Sequence, residues 1–322
     1  MTPTVSVCIP AYGQPQALYR ALRSVFAQSF NSFQVVVTDD TQDDSVRNVV
    51  SGFANQGDLI YQKNEVRKGT PQNWNEAVRL ASGDYIKLLH HDDWLKDENS
   101  LAEFVGLLER HKDASFGFCS SVAYDSAEKP VFVHTPSDSQ IRSLRADPAT
   151  LFFGNFVGSP SATIMRATVK EEYDANLKWL VDVEYYMRVL QRGVVFAFNP
   201  SPLVCVTTLS PFQVTAEVSG DRVVQVYEWL YLYSKVAGTG PIDYRRVKFM
   251  SELLRRWEIR SQSDLVDCGV DFHYPEDIDD ILRIHSHCLG AGRHFLGLRL
   301  IASVVRKKAR WRAQRKKSSR GT

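Results

Sequence analysis

The first 95 residues of this 322-residue chain alternate short apolar runs with segments of helical period, and that alternation constrains the fold more than any other feature. Val5, Val7 and Ile9 alternate with Ser6 and Cys8 in a strand that ends at Pro10-Ala11-Tyr12-Gly13. Between positions 14 and 28, Ala17, Leu18, Ala21, Leu22, Val25 and Phe26 recur at helical spacing. A second strand, Phe33 to Thr38, runs into the acidic turn Asp39-Asp40-Thr41-Gln42-Asp43-Asp44. The pattern continues with a helix from about Ser45 to Asn55, a strand from Leu59 to Gln62, and a helix opened by Thr70 as N-cap with Pro71 in its first turn. Strand, helix, strand in this order predicts right-handed crossovers and parallel pairing, hence an α/β class with the strand-end loops gathered on one edge.

A further strand, Tyr85 to Leu89, follows the turn Ser82-Gly83-Asp84, and His90-His91-Asp92-Asp93 comes directly after it. Ligands bind beyond the carboxyl ends of strands in open α/β sheets. Asp92 is therefore placed to hold a hard divalent cation, which prefers oxygen donors. The plain alternative is a solvated turn in which Asp93 caps the next helix. Neither Gly-x-Gly-x-x-Gly nor Gly-x-x-x-x-Gly-Lys-Ser/Thr occurs, so the usual glycine cradles for phosphate are missing. A nucleotide would instead need a base pocket at Tyr12 and Asp40, with a metal at Asp92 to neutralise its phosphates.

The set Val5-Ser-Val-Cys-Ile-Pro-Ala-Tyr12, Val35-Val-Val-Thr-Asp39-Asp40, Gly83-Asp-Tyr-Ile and His90-His-Asp92-Asp93-Trp-Leu resembles the family-2 glycosyltransferases of GT-A fold, in order and spacing, over roughly residues 1 to 210. The resemblance implies a Rossmann-like α/β/α sandwich with a mostly parallel central sheet, and an inverting transfer of a sugar from a nucleoside-diphosphate donor, UDP first among the nucleotides, to an acceptor hydroxyl. It assigns Tyr12 to stacking on the donor base and Asp40 to hydrogen-bonding it; Pro10, which shapes the loop, Arg67 and Asn75 are the further nucleotide-binding candidates. Asp92 falls at the last aspartate of the family's Asp-x-Asp metal motif, and His90 replaces the first. That exchange removes a negative charge and favours Mn²⁺ over Mg²⁺ if the imidazole ligates.

Gly158-Ser-Pro-Ser-Ala-Thr-Ile-Met-Arg166 is similar to the family's acceptor-side strand, and Trp179-Leu-Val-Asp182-Val-Glu184 to its Glu-Asp helix start. Asp182 takes the place of the general base, with Val181 where a glutamate is usual; Glu184 is a weaker rival on another face of the helix. Ser210 stands where many relatives carry a histidine, so Arg67 or Lys68 is expected to serve the diphosphate instead.

The length suits one substantial α/β domain with a smaller appendage, and the expected division is a catalytic domain over 1–215, a helical region over 216–305 and a basic tail over 306–322. In the appendage, the aromatic stripe around Tyr227 and Tyr231 reads as packing between helices. The tail holds nine basic residues and no acidic one; the formal charge is +2 overall, so 30 basic against 37 acidic residues remain elsewhere. Preceded by the apolar run 295–305, too short to span a bilayer, the tail suits an anionic membrane surface rather than nucleic acid. Five scattered cysteines, Cys8, Cys119, Cys205, Cys268 and Cys288, form no Cys-x-x-Cys pair and fit a reducing compartment. The start of the chain shows no secretory pattern. These features lead to a cytoplasmic protein, peripheral on the inner face of the plasma membrane, with a glycan or lipid-linked glycan as acceptor. Two other readings compete. One is a non-catalytic relative that binds a nucleotide sugar or glycan. The other, a sugar-nucleotide pyrophosphorylase, should carry a Gly-rich, Arg-containing loop where Pro10-Ala-Tyr-Gly-Gln stands.

Overall fold

The computed structural model describes residues 4–169, 171–208, 214–237 and 243–287. The chain divides into two compact units, Met1–Ala216 and Glu217–Thr322.

In the first unit, β1 (Val5–Ala11), α1 (Pro15–Phe26), β2 (Phe33–Asp39), α2 (Ser45–Ser51), β3 (Asp58–Lys63), α3 (Gln72–Leu80) and β4 (Tyr85–Leu88) follow the expected alternation. The strands pair in parallel in the order β3-β2-β1-β4, with Val5 opposite both Phe33 and Tyr85. β1 is buried along its whole length, as a strand covered on both faces must be. α1 packs its Leu18, Ala21, Leu22 and Val25 stripe into the same core as Val7, Ile9, Val35 and Val37. Each such aliphatic side chain contributes roughly 1.5–3 kcal/mol on burial. Gly83, in the turn before β4, is required by close approach: an added Cβ would lie 2.7 Å from the Ser6 nitrogen and 2.8 Å from the Val5 carbonyl carbon. α3 departs from expectation at its start, since Pro71 occupies the N-cap position without a side-chain cap and follows a cis peptide bond.

The remaining elements are β5 (Trp94–Leu95), α4 (Ser100–Arg110), β6 (Phe116–Tyr124), β7 (Pro130–His134), α5 (Asp138–Ala146), β8 (Thr163–Arg166), α6 (Val181–Gln191) and β9 (Phe196–Thr207). They extend the sheet as β4-β8-β6-β9-β5, with β7 on β6. Here the sheet is mixed: β6 pairs with β9 in parallel, and the other pairings are antiparallel. Among the described strands four pairings are parallel and four antiparallel, the latter all in this half. The physical reason lies at Ser161, in the 3-10 turn that leads into β8: its hydroxyl accepts the His90 N–H just past the end of β4. β8 therefore starts where β4 ends and must run back against it.

The second unit holds α8 (Arg222–Ala237), α9 (Tyr244–Arg256), α10 (Gln262–Asp267) and α11 (Asp277–His287), with the short α7 (Val214–Val218) at the boundary. Tyr227 and Tyr231 stack at 5.9 Å along α8 and both meet the ring of Phe272 edge-on, so the stripe packs against the connection between α10 and α11 rather than against another helix. None of the described helices is long and apolar enough to cross a membrane. Ser210, the apolar run 295–305 and the basic tail lie outside the described residues.

Candidate active site

The carboxyl ends of β1, β2 and β4 meet on one edge, where Asp40 N–H donates to the Ala11 carbonyl and Leu89 N–H to that of Cys8. Past β1 the chain turns through two left-handed residues, Gly13 (φ 61°) and Gln14 (φ 50°), into α1. Gly13 N–H donates to Thr41 Oγ1 (2.7 Å), and Thr41 N–H to Asp39 Oδ1 (2.7 Å). Fully buried Asp39 also accepts from Tyr61 (2.7 Å), so it anchors the loop from beneath. Tyr12 is left 47% exposed, and the Arg67 guanidinium carbon lies 3.9 Å from its ring centroid. The structure thus brings together two residues assigned to the nucleotide, in a contact of about 0.5–1 kcal/mol at an exposed site.

Asp40 is buried, and its carboxylate accepts from Asn64 Nδ2 (2.7 Å), Lys68 N–H (3.0 Å) and Gly69 N–H (2.7 Å). In the structure it organises the loop that carries Arg67. The structure gives three further candidates these partners. Asn75 bonds the Tyr173 main chain from both ends of its amide (2.9 and 2.8 Å), so it clamps that loop. Lys68 pairs with Glu76 (2.7 Å) rather than standing ready for a diphosphate. Pro10 contributes its carbonyl, which lies 3.3 Å from His91 Nδ1.

That contact fixes the His91 tautomer. A carbonyl only accepts, so Nδ1 carries the proton, and Nε2 accepts from Gln14 Nε2 at 3.2 Å. His91 therefore ties the Tyr12 loop to the loop after β4. His90, Asp92 and Asp93 each offer one ligand atom, all within 4.8 Å of one another. His90 Nε2 is buried without a hydrogen-bond partner, and burial lowers the ring's pKa to about 4, against the opposing pull of Asp92, leaving the imidazole neutral at pH 7. Burial and the Asp92 carboxylate push Asp93 well above the usual carboxylate range, although Thr207 N–H donates to it at 2.8 Å. Arg20 (2.8 Å) and Thr207 Oγ1 (2.5 Å) hold the Asp92 carbonyl in place. Two crowded carboxylates beside an unpartnered imidazole nitrogen fit a divalent cation with mixed oxygen and nitrogen donors, Mn²⁺ better than Mg²⁺. Asp93 joins the set that the sequence had limited to His90 and Asp92; its place in the same polar run was the available signal.

Asp182 sits in the first turn of α6, where Oδ1 accepts the Val183 N–H (2.8 Å) and Oδ2 accepts from Asn155 Nδ2 (2.7 Å). Its rival Glu184 is buried, and Arg188 donates to both of its oxygens (2.8 and 3.0 Å), which removes it from the candidates. Ring contacts run from the loop after β4 to α6. Trp74 contacts the His90 ring (4.7 Å) and Tyr173 (5.2 Å), and Tyr173 stacks on Tyr185 of α6 (4.2 Å). Asn155 had no signal in the sequence beyond a turn-forming neighbourhood.

Comparison with known proteins matches residues 6–173, just over half of the chain, to the family described as glycosyl transferase family 2. An uncharacterized protein of Mycobacterium tuberculosis, MT1568, is 27% identical over 217 residues, 62% of this chain and 66%, just under two thirds, of that one. The putative teichuronic acid biosynthesis glycosyltransferase TuaG of Bacillus subtilis is 26% identical over 192 residues, 59% of this chain and 73% of its own. Among solved structures, S. aureus TarS 1-349 in complex with UDP-GlcNAc aligns with a TM-score of 0.63 at 15% identity, covering 95% of this chain and 92% of that one. The mannosyltransferase PcManGT from Pyrobaculum calidifontis, in complex with GDP-Man and Mn²⁺, aligns at 0.53 and 12% identity, covering 97% and 88%.

Proposed function

The chain belongs to glycosyl transferase family 2 and has its GT-A fold, and from that premise we propose that it is a cation-assisted, inverting hexosyltransferase with Asp182 as general base. The observation that carries this reading is the convergence of His90, Asp92 and Asp93 at the end of β4, in the middle of the sheet edge.

A UDP-sugar is the proposed donor, supported by the UDP-GlcNAc in the TarS complex. Its base lies against Tyr12, with Asp40 shaping the surrounding loop and Arg67 reaching toward the diphosphate. Held by His90, Asp92 and Asp93, a divalent cation would offset the charge of the diphosphate leaving group. Asp182 accepts the proton of an acceptor hydroxyl as that oxygen bonds to the anomeric carbon. The bond from that carbon to the diphosphate oxygen breaks on the opposite face, its electron pair leaving with the nucleotide, so configuration inverts. The acceptor class is a glycan or lipid-linked glycan of a bacterial surface polysaccharide, in line with the printed role of TuaG. We place the enzyme at the cytoplasmic membrane face through its basic tail.

His90 and Val181 depart from the family's usual carboxylates, and this favours one second reading, a binding protein without transfer. Asp182→Asn separates the two. It should keep nucleotide-diphosphate affinity and lower release of the nucleotide from its sugar by about 10²–10⁴-fold. Unchanged turnover in that variant would refute the base assignment.

A further inference from the structure

Asn155 lies in the loop between the 3-10 turns Pro148–Phe153 and Pro160–Ala162. Its amide orientation is set by its partners. Oδ1 accepts the Gly158 N–H (3.0 Å), so the opposite corner is the NH₂, which donates to Asp182 Oδ2 (2.7 Å) and to the Gly158 carbonyl (3.1 Å). That carbonyl also accepts from Tyr186 Oη (3.2 Å), on the same helix as Asp182. Gly158 holds φ 99°, a region that favours glycine, and an added Cβ would meet the His134 ring at 3.5 Å. Three residues on, Ser161 accepts the His90 N–H. One short segment is therefore bonded at one end to the carboxylate on α6 and at the other to the cation loop.

We infer that Asn155 is a positioning residue for Asp182, holding Oδ2 while the Val183 N–H holds Oδ1, so that the carboxylate keeps one orientation toward the acceptor hydroxyl. The inference rests on the reading of Asp182 as the base. Orientation is where such a contact acts, because a carboxylate free to rotate loses the near-attack geometry that enzyme and substrate must otherwise find by chance. An asparagine that only folded its loop would need no more than the Gly158 contacts.

Four full-length variants distinguish these roles: Asn155→Ala, Asn155→Asp, Asp182→Asn and the double Asn155→Ala/Asp182→Asn. Steady-state release of UDP from UDP-GlcNAc, or from whichever nucleotide sugar the protein turns over, is read as kcat and donor KM, together with the thermal midpoint. Asn155→Asp keeps an acceptor for the Gly158 N–H, removes the donors to Asp182 and to the Gly158 carbonyl, and sets a second carboxylate against Asp182. Both single Asn155 variants should lower kcat about 10–100-fold at unchanged donor KM, with the thermal midpoint read beside the rate so that a loss of folded protein is separated from a loss of turnover. The double variant should be no slower than Asp182→Asn, since removing the base makes its positioning irrelevant. A wild-type rate in Asn155→Asp, or a further loss in the double variant equal to that of Asn155→Ala alone, overturns the inference. An Asp182→Asn variant at full rate overturns the base reading first, and the inference with it.

Discussion

Glu76 shows how partners drawn from separate segments set the charge state of a buried side chain. Lys68, Gln62 and Arg79 all donate to its buried carboxylate, and these hydrogen bonds, Lys68 first, outweigh burial and hold its pKa at about 2 against an ordinary 4.5. A folded-state pKa below the unfolded one means stability that is fully present above about pH 4.5 and lost as pH falls toward 2. Lys68 and Arg79 are 37% and 64% exposed, so solvent screens the pairs, and Glu76→Gln is expected to cost about 1–2 kcal/mol at pH 7. Urea midpoints should differ between variant and wild type at pH 7 and converge near pH 2; an equal gap at both would remove the charge from the explanation. No sequence pattern pointed to Glu76, nor to the clamp made by Asn75, whose partner Tyr173 lies 98 residues away. The roles proposed for Asp92 and Asp182 were drawn from contiguous motifs, whereas hydrogen-bond partners drawn from distant segments are decided by tertiary structure.

Among the elements, β1, β2 and β4 were legible because strands buried on both faces must be apolar, and half-buried β3 at the sheet edge because it follows a helix-period segment as they do. β7 was not. Its Val131, Phe132 and Val133 are 46–57% exposed, so neither face carries the polar alternation that marks a half-buried strand. The reversal of direction at β8 was equally hidden, since it depends on where the Ser161 turn docks rather than on the composition of the strand. At α3, the expected Thr70 cap gave way to Pro71, and the helix gains its hold through buried Asn73, Glu76 and Ala77 instead. Asn73 shows the exchange directly, donating from its side chain to the Ala11 carbonyl at 3.2 Å.

For the whole molecule, the two units Met1–Ala216 and Glu217–Thr322 have separate tasks in the proposed account: the first carries every residue assigned to donor, cation and base. The tail 306–322, with nine cations, supplies the proposed attraction to an anionic bilayer, at about 1 kcal/mol per basic residue near the surface. Removing those residues should release the protein from phosphatidylglycerol-rich liposomes at physiological salt, and undiminished cosedimentation would end the membrane proposal. The central claim, a nucleoside diphosphate bound through a cation at His90, Asp92 and Asp93, is tested most directly by thermal unfolding with UDP, GDP, dTDP and CDP, each with and without Mn²⁺. A ligand at 100 times its dissociation constant adds about 2.7 kcal/mol to stability. The account predicts that one diphosphate raises the midpoint, that Mn²⁺ enlarges the shift, and that Asp92→Ala abolishes the Mn²⁺-dependent part. No shift with any nucleotide, or a shift indifferent to both Mn²⁺ and Asp92, contradicts it.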